Sequence, residues 1–343
     1  MSLATKYRPK SFEDGFIGQE LVAEILKKNI EHKTFKNAML FSGTSGCGKT
    51  TSARIVANLI NNNKGSPIEI DAASNNGVDQ VRNIIEESSK KSLVSEYKVF
   101  IIDECHMITK SGWNAYLKCI EECPKFTIFI FCTTNPTNIP ETVLNRLQIF
   151  NFVPLTSDKI YNKLIDICKK EEFTNYEKVC DFISKTCKGE MRTAITNLEQ
   201  VADFSKDLNL DVAKKLCGEN NYQYFYYLTK ALQENNSEEI VKNINDIYLE
   251  GIDLKTFIKN YANFLVDLSI YCIYHQINIT SIPKYLDSKE NPIISHLVKD
   301  KNSNYYIDLS NRVFDIYFKI KNEDVVKNLI ISLLVGELFD RTN

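Results

Sequence analysis

The sequence lacks any apolar run long enough to form a membrane-spanning helix. Its first residues, MSLATKYRPKSFED, also lack the apolar middle of a secretory signal. We therefore expect a protein with no membrane partner. It would be cytoplasmic in a prokaryotic or phage-infected cell, and nuclear if its host is eukaryotic.

An excess of one charge is also missing, because the formal net charge is only −2 over 343 residues. Total charge therefore neither favours nor excludes nucleic acid as a partner. Binding to DNA would require a local basic surface or backbone amides, since neutralisation of phosphates supplies most non-specific affinity.

Zinc-binding patterns are absent as well. The ten cysteines form no Cys-x-x-Cys pair and no Cys/His spacing that is typical of zinc. Cys119 and Cys123 are one helical turn apart, but no second pair accompanies them. We expect reduced, mostly buried thiols and no zinc.

The first 154 residues alternate short apolar runs with helical patterns. The runs are AMLFSG, PIEIDA, KVFIIDE, FTIFIFCTT and LQIFNFV. This alternation predicts a parallel sheet of five strands covered by helices. Residues 155–217 have the apolar spacing of three helices, and residues 218–343 are helical again. The predicted fold class is α/β followed by all-α, with domains at 1–154, 155–217 and 218–343.

The segment GTSGCGKTT, from Gly43 to Thr51, fits the phosphate-loop pattern G-x-x-x-x-G-K-[ST] between a predicted strand and a predicted helix. Its glycines allow the loop amides to face an anion, and the helix adds the positive end of its dipole. Lys49 is expected to reach the β- and γ-phosphates, and Thr50 to offer its hydroxyl to Mg²⁺. The predicted ATP contacts in this loop are Thr44, Ser45, Gly46, Cys47, Gly48, Lys49, Thr50 and Thr51.

The segment KVFIIDECH ends a predicted strand with two carboxylates, Asp103 and Glu104. Ligands bind at this edge of parallel sheets. Asp103 suits a contact to Mg²⁺, and Glu104 suits orienting and deprotonating a water molecule. A lone Asp-Glu pair is also typical of a solvated turn, but its combination with the phosphate loop favours a nucleotide-binding site.

Two residues are candidates on less specific patterns. Thr134 ends the strand FTIFIFCTT and could hydrogen-bond the γ-phosphate or the attacking water, although a plain strand end looks the same. Arg192, in KGEMRTAITNLEQ, begins a helix of the second domain, from which a cation could reach the nucleotide and report its presence by domain closure. The alternative is a surface arginine that pairs with Glu190 or with water.

Taken in order, these motifs resemble the AAA+ clamp-loader ATPases: the gamma/tau subunit of the bacterial DNA polymerase III clamp loader and the small subunits of replication factor C. KYRPKSFEDGFIGQE is similar to the family's adenine-pocket segment, DECH to its Asp-Glu-x-His box, WNAYLKCIEECP to the helix after that box, and GEMR to its second sensor. The resemblance covers residues 1 to about 200 and implies ATP and Mg²⁺ as cofactors. It assigns Thr134 to the first sensor and Arg192 to the second, and it adds ATP contacts at Tyr7, Arg8, Pro9, Ile17 and Gly18.

Arg146, in TVLNRLQIFNF, falls on the arginine of the family's Ser-Arg-Cys motif. In that family this residue points into the ATP site of the neighbouring subunit. The resemblance therefore implies that Arg146 is an arginine finger that acts in trans. It also implies several partners: a sliding clamp, primer–template DNA, and other loader subunits in a homo- or hetero-oligomeric ring, expected to be a pentamer.

Two features depart from the family pattern. Asn145 and Leu147 replace the serine and the cysteine that flank the arginine. The bacterial gamma/tau proteins carry a four-cysteine zinc module after the phosphate loop, whereas here ANLINNNKGSPIEIDAAS leads directly to the next strand. The layout without zinc is closer to replication factor C or phage loaders.

The segment DAASNNGVDQVRNIIEE resembles the family's helix start that faces DNA. Its first polar side chains are expected to cap this helix, whose free amides could bind a backbone phosphate. The start of the helix after DECH is the other candidate, and a capped surface helix without DNA is the alternative. The predicted DNA contacts are Ser74, Asn75, Asn76, Arg82, Lys110 and Ser111.

The sequence favours a motor subunit of a sliding-clamp loader, with residues 155–217 as lid and residues 218–343 as collar. Two alternatives stay open. One is another AAA+ DNA-remodelling ATPase, such as a branch-migration motor or a replication-maintenance factor, which would be expected to carry a basic module after the lid. The other is a scaffold subunit without turnover, against which the intact phosphate loop and DECH box argue.

Overall fold

The computed structural model describes residues 2–216, 220–277, 296–298, 301–321 and 327–339. The chain divides into two compact units, Met1–Cys217 and Gly218–Asn343. The further division of the first unit at residue 154 stays a prediction. No helix within the described ranges is both long and apolar enough to cross a membrane.

The first unit contains a parallel sheet of five strands in the order β2-β3-β4-β1-β5. The predicted five-stranded parallel sheet is therefore confirmed. Every residue of the central strand β4 is buried, as expected for a strand covered on both faces. The strands are β1 (Ala38–Gly43), β2 (Ile68–Asp71), β3 (Lys98–Asp103), β4 (Thr127–Thr133) and β5 (Gln148–Phe152).

Helices cover both faces of this sheet and build two apolar layers. One layer joins α2 and α3 to side chains such as Phe41 and Ile130. The other joins α4, α5 and α6 to Phe129 and Phe131, against which Trp113 packs. The helices are α1 (Leu3–Lys6), α2 (Glu20–Glu31), α3 (Lys49–Ile60), α4 (Val78–Ser88), α5 (Lys110–Glu121) and α6 (Glu141–Leu144).

A third apolar cluster lies among the helices that follow the sheet. It includes Leu3 and Leu155 from outside these helices, and the backbone N–H of Leu3 donates to Glu199 Oε1 at 2.9 Å. The residues before α2 (residues 2–19, the N-terminal segment) are therefore attached to the helices at the end of the unit. These helices are α7 (Ser157–Lys170), α8 (Tyr176–Thr186), α9 (Met191–Phe204) and α10 (Leu210–Leu216).

The second unit is helical where it is described, which confirms the predicted helical character of this region. Its core is rich in aromatic side chains, and Phe257, Tyr261 and Tyr306 are fully buried. Parts of the predicted third domain lie outside the described residues. The helices are α11 (Asn220–Gln233), α12 (Ser237–Leu249), α13 (Leu254–Ile277), α14 (Ser303–Ile320) and α15 (Lys327–Phe339).

Candidate nucleotide-binding site

The phosphate loop connects the end of β1 to the start of α3. Two of its glycines have left-handed backbone angles, with φ of +65° at Gly46 and +103° at Gly48. A Cβ atom on Gly46 would lie 3.0 Å from Cβ of Glu190, and one on Gly48 would lie 3.3 Å from the ring of Phe16. The loop therefore requires glycine both for its turn and for the close approach of its neighbours.

Lys49 and Thr50, the first residues of α3, are held in place by polar contacts. Lys49 is only 6% exposed, and its Nζ donates to the carbonyl oxygens of Gly43 at 2.8 Å and Thr44 at 2.7 Å. Thr50 Oγ1 donates to Asp103 Oδ2 at 2.8 Å. The structure thus brings together an ammonium group, a hydroxyl and a carboxylate, and the two oxygen ligands are of the type that Mg²⁺ prefers.

Glu104 stands at the carboxyl end of β3 beside the end of β4. Its backbone is in the left-handed region, with φ of +48°, which is uncommon for a residue other than glycine and typical of functional sites. Glu104 Oε2 accepts a hydrogen bond from Thr134 Oγ1 at 3.1 Å and lies 3.2 Å from His106 Nδ1. The predicted general base and the predicted sensor threonine are therefore in direct contact.

Cys47 in the phosphate loop is buried, with 2% of its surface exposed. Burial raises the pKa of its thiol, although nearby Lys49 acts in the opposite direction. Its Sγ donates to the carbonyl oxygen of Thr44 at 2.9 Å, so Cys47 is a packing residue of the loop and not a nucleophile.

An open cleft surrounds this group, with an empty volume of about 1030 Å³ that includes solvent at its mouth. The N-terminal segment, the phosphate loop, the end of β3 and helices α7 and α9 form its walls. Of the predicted ATP contacts, Thr44 and Gly18 do not line it; Gly18 instead packs against Leu155. The predicted residues that line it are Tyr7, Arg8, Pro9, Ile17, Ser45, Gly46, Cys47, Gly48, Lys49, Thr50, Thr51, Asp103, Glu104 and Arg192.

Positive charge collects in the cleft. Burial lowers the pKa of the Arg8 guanidinium, and the nearby charges of Arg54 and Arg192 lower it further. Arg192 is exposed on the first turn of α9, as the sequence predicted, and makes no ion pair within the described part of the chain. Lys163 of α7 also lines the cleft, which sequence reasoning missed. A polyanion is the ligand that such a group of cations favours.

Two contacts that the sequence did not predict attach the N-terminal segment to the rest of the unit. Gln19 is 3% exposed; its Nε2 donates to the carbonyl oxygen of Val153 at 2.6 Å, and its Oε1 accepts from the Val153 N–H at 3.2 Å. The Tyr7 hydroxyl donates to Glu171, which also lies 2.6 Å from Lys6 Nζ. Burial and the Glu171 carboxylate raise the pKa of Tyr7 to about 12.

Arg146 lies in the turn between α6 and β5 and does not line the cleft of its own chain. Its Nε and Nη2 each lie 2.6 Å from Glu121 Oε1, and its Nη1 donates to the carbonyl oxygen of Thr142 at 2.6 Å. The side chain is 40% exposed. Arg146 is therefore presented at the surface in a defined orientation.

The predicted caps of α4 are wrong. Gly77 occupies the N-cap position, and no side chain bonds the free amides there. Ser74 Oγ and Asn75 Nδ2 both donate to the carbonyl oxygen of Asp71, at 3.2 and 3.0 Å, so these side chains bond the turn before the helix. Arg82 is exposed and pairs with Asp79 on the same helix at 3.3 Å.

The two segments predicted to face DNA lie next to each other. The carbonyl oxygen of Asn76 accepts from Thr109 N at 3.2 Å and from Thr109 Oγ1 at 3.1 Å. Thr109 also caps α5, which begins with the exposed residues Lys110 and Ser111. The starts of α4 and α5 therefore form one continuous surface.

Within the described residues, no group of three or more His, Cys, Asp or Glu side chains could hold a metal ion, and every cysteine is free.

The five-stranded sheet, the phosphate loop and the helices that close the cleft define a phosphate-loop ATPase fold of the AAA+ class. The Holliday junction branch migration motor RuvB of Thermotoga maritima has a similar fold, with a TM-score of 0.53 and 20% sequence identity over 73% of this chain and 87% of that one. At this identity the likeness shows the fold alone.

Sequence relatives identify the family. The chain is 31% identical to the DNA polymerase III subunit gamma of Buchnera aphidicola over 97% of both chains. It is 34% identical to the subunit tau of Bacillus subtilis over 77% of this chain and 51% of that protein. A family described as DNA polymerase III, delta subunit, matches residues 68–156. The chain belongs to the gamma/tau family of DNA polymerase III subunits, and it spans about half the length of the Bacillus subtilis relative.

Proposed function

We propose that this chain is an ATP-driven motor subunit of a sliding-clamp loader, which opens the clamp and places it on primer–template DNA during replication. Membership of the gamma/tau family supports this role. The observation that carries the proposal is the cleft itself, in which Lys49, Thr50, Asp103 and Glu104 meet at one edge of the sheet.

In this proposal the phosphate loop, Lys49 and Arg192 bind the triphosphate of ATP. The part of the cleft that would hold the adenine ring is lined by Tyr7, Arg8, Pro9 and Ile17. Thr50 and Asp103 would hold Mg²⁺, which would neutralise charge that develops on the phosphates. The contact of 2.8 Å between these two oxygen ligands supports the assignment.

Glu104 would act as the general base of hydrolysis. The oxygen of a water molecule bonds to the γ-phosphorus, the bond from this phosphorus to the bridging oxygen breaks, and ADP leaves with the electron pair. Glu104 accepts the proton of the water. Since Thr134 Oγ1 donates to Glu104 Oε2 at 3.1 Å, Thr134 can hold the carboxylate until a nucleotide competes for the hydroxyl.

Arg146 would complete the ATP site of a neighbouring subunit. Its absence from the cleft of its own chain supports a role in trans. An arginine finger contributes about 10³- to 10⁵-fold in rate, which corresponds to roughly 4–7 kcal/mol of barrier. Hydrolysis would therefore depend on assembly of a ring, with the second unit as its collar.

Primer–template DNA would be bound by the surface at the starts of α4 and α5. The amides at the start of α4 have no side-chain cap and are free to bind a phosphate. Lys110 and Ser111 are exposed beside them. Contacts of this kind recognise the shape of the duplex and not its sequence.

Turnover of the complex co-purified with its native partner subunits tests this function. We expect hydrolysis to rise when the sliding clamp and primed DNA are added together. Stimulation by branched DNA alone would instead identify a remodelling motor. A complex whose rate equals that of its Lys49→Ala variant under all conditions would identify a scaffold subunit.

A further inference from the structure

The backbone of Arg146 is fixed by the turn in which it lies. Its N–H donates to the carbonyl oxygen of Val143 at 2.9 Å, and the next N–H, of Leu147, donates to that of Leu144 at 3.2 Å. Val143 and Leu147 are 1% and 5% exposed, so the turn is anchored in the apolar core on both sides of the arginine. The freedom that remains to Arg146 lies in its side chain.

The contacts of the guanidinium restrict that side chain along one edge. Nε and Nη2 lie on the same edge of the planar group, and both are 2.6 Å from Glu121 Oε1. A guanidinium has five N–H groups, and these contacts together with the bond to the Thr142 carbonyl use three. The other two, one on Nη1 and one on Nη2, have no acceptor within the described residues.

Glu121 occupies a position that helix formation alone disfavours. It is the last residue of α5, where a carboxylate faces the negative end of the helix dipole. The helix itself is firmly placed, because Trp113 and Tyr116 are buried against the sheet. The backbone of Glu121 is therefore held in place, and its carboxylate lies beside Arg146.

We infer that Glu121 is a positioning residue for Arg146: it orients the guanidinium through its Nε edge so that the two remaining N–H groups, one on Nη1 and one on Nη2, reach the phosphate in the neighbour's site. The inference rests on the proposed role of Arg146 in trans. An ion pair this exposed contributes little to the stability of the fold, so its main effect is on the orientation of the arginine. Two N–H groups in one plane match two oxygens of a phosphate.

The test measures hydrolysis by the complex of native subunits in the presence of clamp and primed DNA. Glu121→Ala should lower kcat about 10- to 100-fold, as expected for a misplaced catalytic group, and leave KM for ATP unchanged. Glu121→Gln keeps an oxygen acceptor at the same place and should retain more of the rate. Glu122→Ala is the matched control, since Glu122 is exposed on the next residue and makes no ion pair within the described part of the chain.

A double substitution separates positioning from a general structural effect. If Glu121 acts only through Arg146, the double variant with both Glu121→Ala and Arg146→Ala should have the same kcat as Arg146→Ala alone. A further drop in this background, or a lower melting temperature or loss of assembly with Glu121→Ala, would show a structural role and overturn the inference. An increase in kcat with Glu121→Ala would also overturn it, because Glu121 would then restrain the arginine.

The same experiment distinguishes failure of the inference from failure of the proposed function. Full turnover in Arg146→Ala would contradict the trans role itself. Loss of turnover in Arg146→Ala with unchanged turnover in Glu121→Ala would contradict only the positioning by Glu121.

Discussion

Lys49 and Arg146 are both cations assigned to ATP hydrolysis, but the chain holds them in opposite ways. Lys49 is 6% exposed, and its ammonium is bound by two carbonyl oxygens of its own loop. Arg146 is 40% exposed in a surface turn, and its contacts lie outside the cleft. Lys49 belongs to the cleft of its own chain, whereas Arg146, in the proposed mechanism, would meet its phosphate only in the cleft of a second chain.

This difference separates nucleotide binding from nucleotide hydrolysis, two properties that a turnover assay alone does not distinguish. Nucleotide binding, as proposed, would depend on groups that are already assembled in the isolated chain, from the phosphate loop to Asp103. Fast hydrolysis, in the proposed mechanism, would depend on Arg146 of a neighbouring chain. Substitutions of Lys49 and of Arg146 should therefore have different effects on ATP binding and on hydrolysis when the isolated chain is compared with the complex.

The largest effect is expected from Lys49→Ala. Removal of the ammonium takes away the cation nearest the phosphates, so binding and hydrolysis of ATP should fall to background both in the isolated chain and in the complex. Titration with a fluorescent ATP analogue and steady-state turnover measure the two. Lys185→Ala, which removes a surface ion pair on α8, is the control. Residual hydrolysis at the normal rate would place the active site elsewhere.

Arg146→Ala should show the opposite pattern, with binding retained and only assembly-dependent hydrolysis lost. The expected loss in stimulated kcat is about 10³- to 10⁵-fold, because the developing charge on the phosphate is no longer neutralised by the neighbour. Titration of ATP against the isolated chain should give the wild-type Kd. A weakened Kd in the isolated chain would mean that Arg146 contributes to its own site.

A smaller effect is expected from Gly46→Ala, which tests the shape of the loop. Its φ of +65° resembles the φ of +75° at Gly251 in the second unit, but only Gly46 has a neighbour, Glu190 Cβ, within 3.0 Å of the added methyl. Gly46→Ala and its control, Gly251→Ala, should each lower the free energy of unfolding by about 1–3 kcal/mol through backbone strain. Only Gly46→Ala should also weaken ATP binding. Equal ATP affinities in the two variants would mean that the loop adapts.

The sequence predicted most of the cleft because its determinants are local. The strands are continuous apolar runs, and Gly46, Gly48, Lys49 and Thr50 lie within one short motif. The capping of α4 was predicted wrongly, since spacing alone could not show that the helix begins after Gly77 and that Ser74 and Asn75 bond the Asp71 carbonyl instead.

The residues and contacts that the sequence did not predict have determinants that are distant in the chain. Gln19 bonds Val153 and Tyr7 bonds Glu171 across 134 and 164 positions. Lys163 lines the cleft only because α7 packs beside it. Glu121 has no motif that links it to Arg146, 25 positions away. Contacts of this kind are set by tertiary packing, and no periodicity in one sequence indicates them.

The smallest effect is expected at Glu171, which supports the cleft of its own chain, as Lys49 does, and has no part in the proposed action of Arg146 on a neighbouring chain. Glu171→Gln removes the charge that bonds Lys6 and Tyr7, so the N-terminal segment should be held less firmly and ATP affinity should fall slightly without any change in the dependence on Arg146. Lys6 and Tyr7 lower the pKa of the Glu171 carboxyl below its usual 4.5. A lowered pKa contributes stability above pH 4.5 that is lost as the pH falls through the folded pKa. The difference in unfolding free energy between wild type and Glu171→Gln should therefore be constant near neutral pH and shrink in acid. A difference that grows as the pH falls would mean that the carboxyl is bound as the neutral acid.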